Sequence, residues 1–133
     1  MALKPDTVQY PITAIVDIAY GDLTDATAVD VLALPQGAVI TAMDLVVDTA
    51  WNSATSDTFD IGDATDPDRY TSSPVSVATT GVISGVAITG YEGTSSDTYL
   101  QVTWDGTGTA PSAGAARLIV QYIVDGRFSE VAD

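Results

Sequence analysis

Asp60, Asp63, Asp66 and Asp68 crowd into one short stretch, FDIGDATDPDRY, Phe59 to Tyr70. Carboxylates at this spacing fit three chemistries. Calcium takes roughly six to eight oxygen ligands, and neighbouring aspartates on a loop supply several of them. Two facing carboxyls, about 5 Å or about 6.5–9.5 Å apart, hydrolyse glycosides. An Asp-Pro-Asp sequence also builds turns, because aspartate accepts from nearby backbone N–H groups and proline fixes φ. The spacing lacks the Gly at the sixth position and the Glu at the twelfth that an EF-hand loop requires. Arg69 follows directly and is placed to pair with one of these carboxylates. A turn-stabilising, solvated loop is therefore the preferred reading. The cation reading assigns Asp60, Asp63, Asp66 and Asp68 to calcium.

Catalysis has little else to draw on. The chain holds no histidine and no cysteine, so a Ser-His-Asp triad, a thiolate nucleophile and a zinc-thiolate site are all excluded. Only Trp51 and Trp104 could stack on a sugar ring. Trp104 alternates with Leu100 and Val102, which marks it as core, whereas Trp51 either caps the core or lies in a contact surface. The Gly-rich run GVISGVAITGYEG, Gly81 to Gly93, lacks the spacing and the lysine of a phosphate loop. No enzymatic activity is expected, and no cofactor beyond the calcium reading.

Alternation of apolar and polar residues, interrupted by turn signals, dictates what positions these side chains. Thr7–Tyr20 reads as extended, with Pro11 at an edge or kink. Gly21–Thr27 reads as a loop or one helical turn, and Ala28–Leu34 as a strand with Val29, Val31 and Ala33 on one face. Leu34–Gly37, LPQG, reverses the chain, with Pro35 second and Gly37 fourth in a type I turn. In the long strand that follows, Val39, Met43, Leu45 and Val47 point inward with Thr41 among them. Phe59 and Ile61 are inward in the next. A polar connector, Thr71–Gly81, precedes strands over Val82–Tyr91 and Asp97–Gly106. The last strand, ARLIVQYIVDG, has Leu118, Val120, Tyr122 and Val124 on one face, with Ile119 and Ile123 on the other. That pattern fits burial on both sides or a subunit contact. No segment has helical periodicity, so the expected fold is all-β: a single antiparallel sandwich or small barrel, jelly-roll-like, of seven to eight strands.

The 133 residues suffice for one domain with a real core, and 46% of them are apolar. Against 18 acidic residues stand Lys4, Arg69, Arg117 and Arg127, a net charge of −14. A chain this acidic repels phosphate backbones and anionic membranes, so neither nucleic acid nor membrane is an expected partner. No signal peptide is visible and no stretch is apolar enough to span a bilayer, so synthesis in a cytoplasm is expected. Residues 1–10 are expected to form an extended arm ahead of a β domain over 11–133, with Leu3, Lys4, Val8 and Tyr10 as its contact residues.

The run LPQGAVITAMDLVVDTAWNSATSDTFDIGDATDPDRY, Leu34 to Tyr70, resembles small head proteins of tailed bacteriophages. The closing ARLIVQYIVDGR is similar to their last strand. The resemblance implies a capsid decoration, or cement, protein: a homotrimer on the outside of the head, bound to the major capsid protein. It places Trp51, Asp66, Asp68 and Arg69, with the arm, at subunit or capsid contacts. The same texture is shared by tail-tube and fibre subunits, and a calcium- or glycan-binding β module is the alternative from another class.

Overall fold

The structure, a computed structural model, describes residues 10–71, 73–83 and 98–124. Eight strands are present: β1 (Ile12–Ala19), β2 (Ala28–Leu34), β3 (Ala38–Thr49), β4 (Ser56–Gly62), β5 (Val75–Ser76), β6 (Gly81–Ile83), β7 (Thr98–Thr107) and β8 (Ala115–Val124). A single 3-10 turn, Tyr20–Asp22, follows β1. The strands form two four-stranded antiparallel sheets, ordered β1-β8-β3-β6 and β2-β7-β4-β5. Nearly every connection crosses from one sheet to the other, which makes the domain an all-β sandwich, as the alternation implied.

The core is the space between the two inner faces. Ile18, Met43, Leu45, Leu118 and Val120 fill it from the first sheet, and Phe59, Ile61, Leu100, Val102 and Trp104 from the second. β8 lies between β1 and β3, and its inner face is buried from Ala116 to Val124. Ile119 and Ile123 are half-buried on the other face. The strand is thus covered fully on one side only.

Two β-bulges reset the alternation where the sequence reading carried it straight through. In β3 the register with β8 slips between Ile40 and Ala42. Ile40 is consequently buried, Val39 half-buried and Thr41 exposed. Thr41 hydrogen-bonds the carbonyl of Gln121 from its hydroxyl. An extra residue flips every side chain beyond it to the opposite face. β2 slips likewise between Asp30 and Leu32, so Leu32 and Leu34 turn inward and Ala33 is exposed.

The reversal at LPQG exists but begins one residue later than the type I reading. Ala38 N–H donates to the Pro35 carbonyl, which puts Pro35 first and Gly37 third. Gly37 has φ +85°, the conformation of the third position of a type II turn, which only glycine adopts without strain. The polar connector contains β5, and Val77 within it is fully buried. Beyond Ile83, the strand expected over Val82–Tyr91 lies outside the described residues.

Leu118 is fully buried on the central strand of its sheet. Leu118→Ala is expected to destabilise the domain by about 3 kcal/mol and to lower Tm by roughly 10 °C, measured by thermal and urea denaturation.

Candidate functional site

The Asp-rich segment is a closed loop leaving β4. Gly62 begins it because a Cβ there would collide with the Asp66 and Pro67 backbone. Asp63 N–H donates to the Asp66 carbonyl, and Tyr70 N–H to the Ile61 carbonyl, which draws the loop shut. Inside that ring sits the Asp63 carboxylate, buried, accepting from the backbone N–H of Thr65 and of Asp66 through Oδ1. Arg69 donates from Nε to Asp63 Oδ2 at 2.6 Å. Burial pushes the Asp63 carboxyl up. The Arg69 hydrogen bond and charge, with the two backbone N–H groups, outweigh that and hold it below the usual carboxylate range.

The other three aspartates face elsewhere. Asp60 accepts from the Thr71 hydroxyl, which itself accepts from Ile61 N–H. Asp66 and Asp68 lie at the outer end of the loop, where the hydrogen bond between their side chains raises the Asp66 pKa and Arg69 pulls it back. The four carboxylates therefore do not converge. Among the described residues no group of three or more acidic side chains is placed to hold a metal ion. Asp63 turns inward to Arg69 and the backbone, away from Asp66 and Asp68 at the outer end of the loop.

Trp51, one of the expected contact residues, lies in the core and not on a surface. Its side chain is 2% exposed and meets Phe59 edge to face, with centroids 5.0 Å apart. Its backbone N–H is fixed by the Val77 carbonyl. Tyr10, by contrast, is 65% exposed just ahead of β1. Leu3, Lys4 and Val8 lie outside the described residues.

Sequence reasoning missed Asp57. It shares the inward parity of Phe59 and Ile61 on β4 and is 1% exposed. That parity was the available signal. Asp57 accepts from the N–H and hydroxyl of Ser53 and from Trp104 Nε1 at 3.0 Å. A buried charge held by three donors pins the loop Asn52–Thr55 and the Trp104 ring together. With its three donors satisfied inside the fold, it acts as a structural anchor.

The two outer faces differ in chemistry. Outward positions of the second sheet read Thr58, Asp60, Gln101, Thr103 and Asp105. Those of the first carry Ile15 against Ile119 and Val46 against Val82, with Ile15 62% and Val82 63% exposed. Arg117 on that face donates to Asp48 through Nε and Nη2, at 2.9 and 3.0 Å. The outer face of the first sheet thus mixes exposed apolar side chains with Asp17, Asp48 and Arg117.

No family model matches the chain, and no curated protein matches it. Solved structures do. A chain in the capsid asymmetric unit of cyanophage Pam1 is 23% identical, matching 93% of this chain and 91% of its own length with a TM-score of 0.60. A chain in the acidic stable capsid structure of Helicobacter pylori bacteriophage KHP30 is 15% identical over 90% of both, with a TM-score of 0.64. A chain in the capsid of Ralstonia phage GP4 is 19% identical, over 93% of this chain and 90% of that one, at 0.63. The fold is one found in bacteriophage capsids.

Two expectations follow from the carboxylates. Asp57→Ala leaves the Trp104 indole N–H and the Ser53 donors without their acceptor inside the protein, and is expected to cost about 3 kcal/mol in urea unfolding. Arg69→Ala is expected to cost about 2 kcal/mol at pH 7 by removing the partner of a buried carboxylate. Because the folded pKa of Asp63 lies below its ordinary 3.8, the stabilisation is present above that value and is lost as pH falls through the lower, folded pKa. The gap between wild type and Arg69→Ala should therefore be widest near neutrality and should close below pH 3.8, measured as unfolding free energy against pH.

Proposed function

We propose that this chain is a structural protein of a phage head: a decoration protein that sits on the outer capsid surface, binds the major capsid protein and works as a homotrimer. One observation carries the reading. The sandwich matches chains of three phage capsid structures over at least 90% of its length. The residue chemistry agrees with it, since a chain without histidine or cysteine offers neither the usual general base nor a thiolate. Its action is mechanical. Interfaces burying roughly 1,200–2,000 Å² each, laid across junctions between capsomers, oppose the outward pressure of the enclosed DNA.

In this reading the arm residues Leu3, Lys4, Val8 and Tyr10 reach the shell or a neighbouring subunit, and the exposed end of the loop at Asp66 and Asp68 faces a subunit contact. Like charges meeting at a three-fold axis repel, and Arg69 is already engaged by Asp63. The loop therefore belongs at the rim of the contact, where water screens it.

The expected mass in solution, by light scattering after gel filtration, is about 41 kDa, three times the 13.7 kDa of one chain. It should be the same with calcium or with a chelator. The purified protein should co-sediment with heads that lack it, and deletion of residues 2–9 should weaken that binding. A monomer that leaves such heads undecorated overturns the reading.

A further inference from the structure

A sheet edge is a row of unpaired backbone donors and acceptors, and proteins normally blunt it. Two of the edges among the described strands are blunted. β5 has two residues. β2 is broken by its bulge at Val31. β1 is different: eight residues, ITAIVDIA, in unbroken register with β8 from Ile12 to Ala19, with Asp17 its only charge. Its other side has no ladder among the described residues.

Apolar surface gathers at the same place. Of the exposed large apolar side chains among the described residues, Tyr10, Ile15 and Tyr20 flank or belong to β1. Next to this edge the sandwich is open, and a groove of about 210 Å³ separates β1 from β2. Val16, Ile18 and Leu23 line one side of it, Val29 and Val31 the other. Its charged lining is acidic throughout: Asp17, Asp22 and Asp30. None of the three is in an ion pair with a basic side chain among the described residues, where Arg69 serves Asp63 and Arg117 serves Asp48.

We propose that the outer edge of β1, which carries no ladder among the described residues, receives with the groove beside it an extended segment of the capsid shell protein, which adds to the first sheet as a further strand. Main-chain hydrogen bonds along β1 supply the affinity. Alternate apolar side chains of the segment enter the groove, and lysine or arginine on it meets Asp17 and Asp30. Charge selects this occupant over a second copy. The chain has 18 acidic residues against four basic ones, and both described arginines are already paired, so the described surface of a second copy does not complement an acidic groove. The inference rests on the head-binding reading above and adds to it the surface used and the chemistry of what binds there.

The test uses the full chain and empty heads, lacking this protein, of the virus that encodes it. Hydrogen exchange of the edge-facing amides of Thr13, Ile15 and Asp17, which the β8 ladder leaves unpaired, is followed with and without heads, together with co-sedimentation of Ile15→Lys, the double variant Asp17→Lys/Asp30→Lys, and Tyr99→Lys on the opposite sheet. Solution mass and Tm of each variant report assembly and folding. Expected are at least tenfold slower exchange at these three amides on binding, at least tenfold weaker binding for the first two variants, and wild-type binding for Tyr99→Lys. Masses and melting should stay close to wild type. Heads bound with β1 exchange unchanged, or bound equally by Ile15→Lys, overturn this inference and leave the proposed function standing. Heads not bound at all overturn both. Edge-facing amides of Thr13, Ile15 and Asp17 already protected in the free protein, or a fall to monomer mass in Ile15→Lys, give the edge to a segment of this chain or to a neighbouring copy and likewise overturn it.

Discussion

Each sheet of the sandwich can bury only one of its faces, so every strand must keep its apolar side chains in phase with the inner one. β8 sets that phase for the first sheet. Its residues Ala116, Leu118, Val120 and Tyr122 are paired on one side with Ile18, Val16, Ala14 and Ile12, and on the other with Val47, Leu45, Met43 and Ile40. Each row crosses three strands at the same level and points the same way, so an error in one strand would be carried across the sheet. The bulge at Thr41 is how β3 obeys this constraint. Without the extra residue, either Ile40 or Met43 would face water.

That constraint explains what could be read from the chain alone. Where alternation runs unbroken, as from Leu100 to Trp104 or from Leu118 to Val124, the inward residues were legible directly. Where a bulge intervenes, parity misassigns one end of the strand, and Val39 and Ala33 were lost for that reason. Nothing local in VITAM distinguishes a bulge from a straight strand, because the decision belongs to register with Gln121 and Tyr122, some eighty positions away. Trp51 had no alternating neighbours to place it. Its position follows from Phe59 and Val77, which the chain brings together only by folding. Asp57 shows the converse: parity put it inside, and only its charge argued otherwise.

The acidic loop illustrates how a cluster of reactive groups can be consumed by architecture. Asp63 is satisfied four times over, by two backbone N–H groups and two guanidinium nitrogens. A carboxylate so fully engaged gains little from a cation, which would have to displace Arg69 first. The composition that favours metal binding in a sequence thus serves here to close a turn. The surface chemistry then shifts from the loop to the sheets: the outer face of the second carries threonine, glutamine and aspartate, and that of the first sets Ile15, Ile119 and Val82 among Asp17, Asp48 and Arg117.

β1 and β8, the first and last described strands, lie side by side, and β8 also separates β1 from β3. During synthesis the first sheet therefore cannot close until its innermost strand has left the ribosome. Until then β1 has no hydrogen-bonded neighbour in its sheet, and β3 lacks its longest one. A chain truncated before Ala115 has no way to place Ile18 and Leu45 on one surface. Closure of the first sheet is thus tied to the synthesis of β8, and no earlier fragment can present its paired inner face.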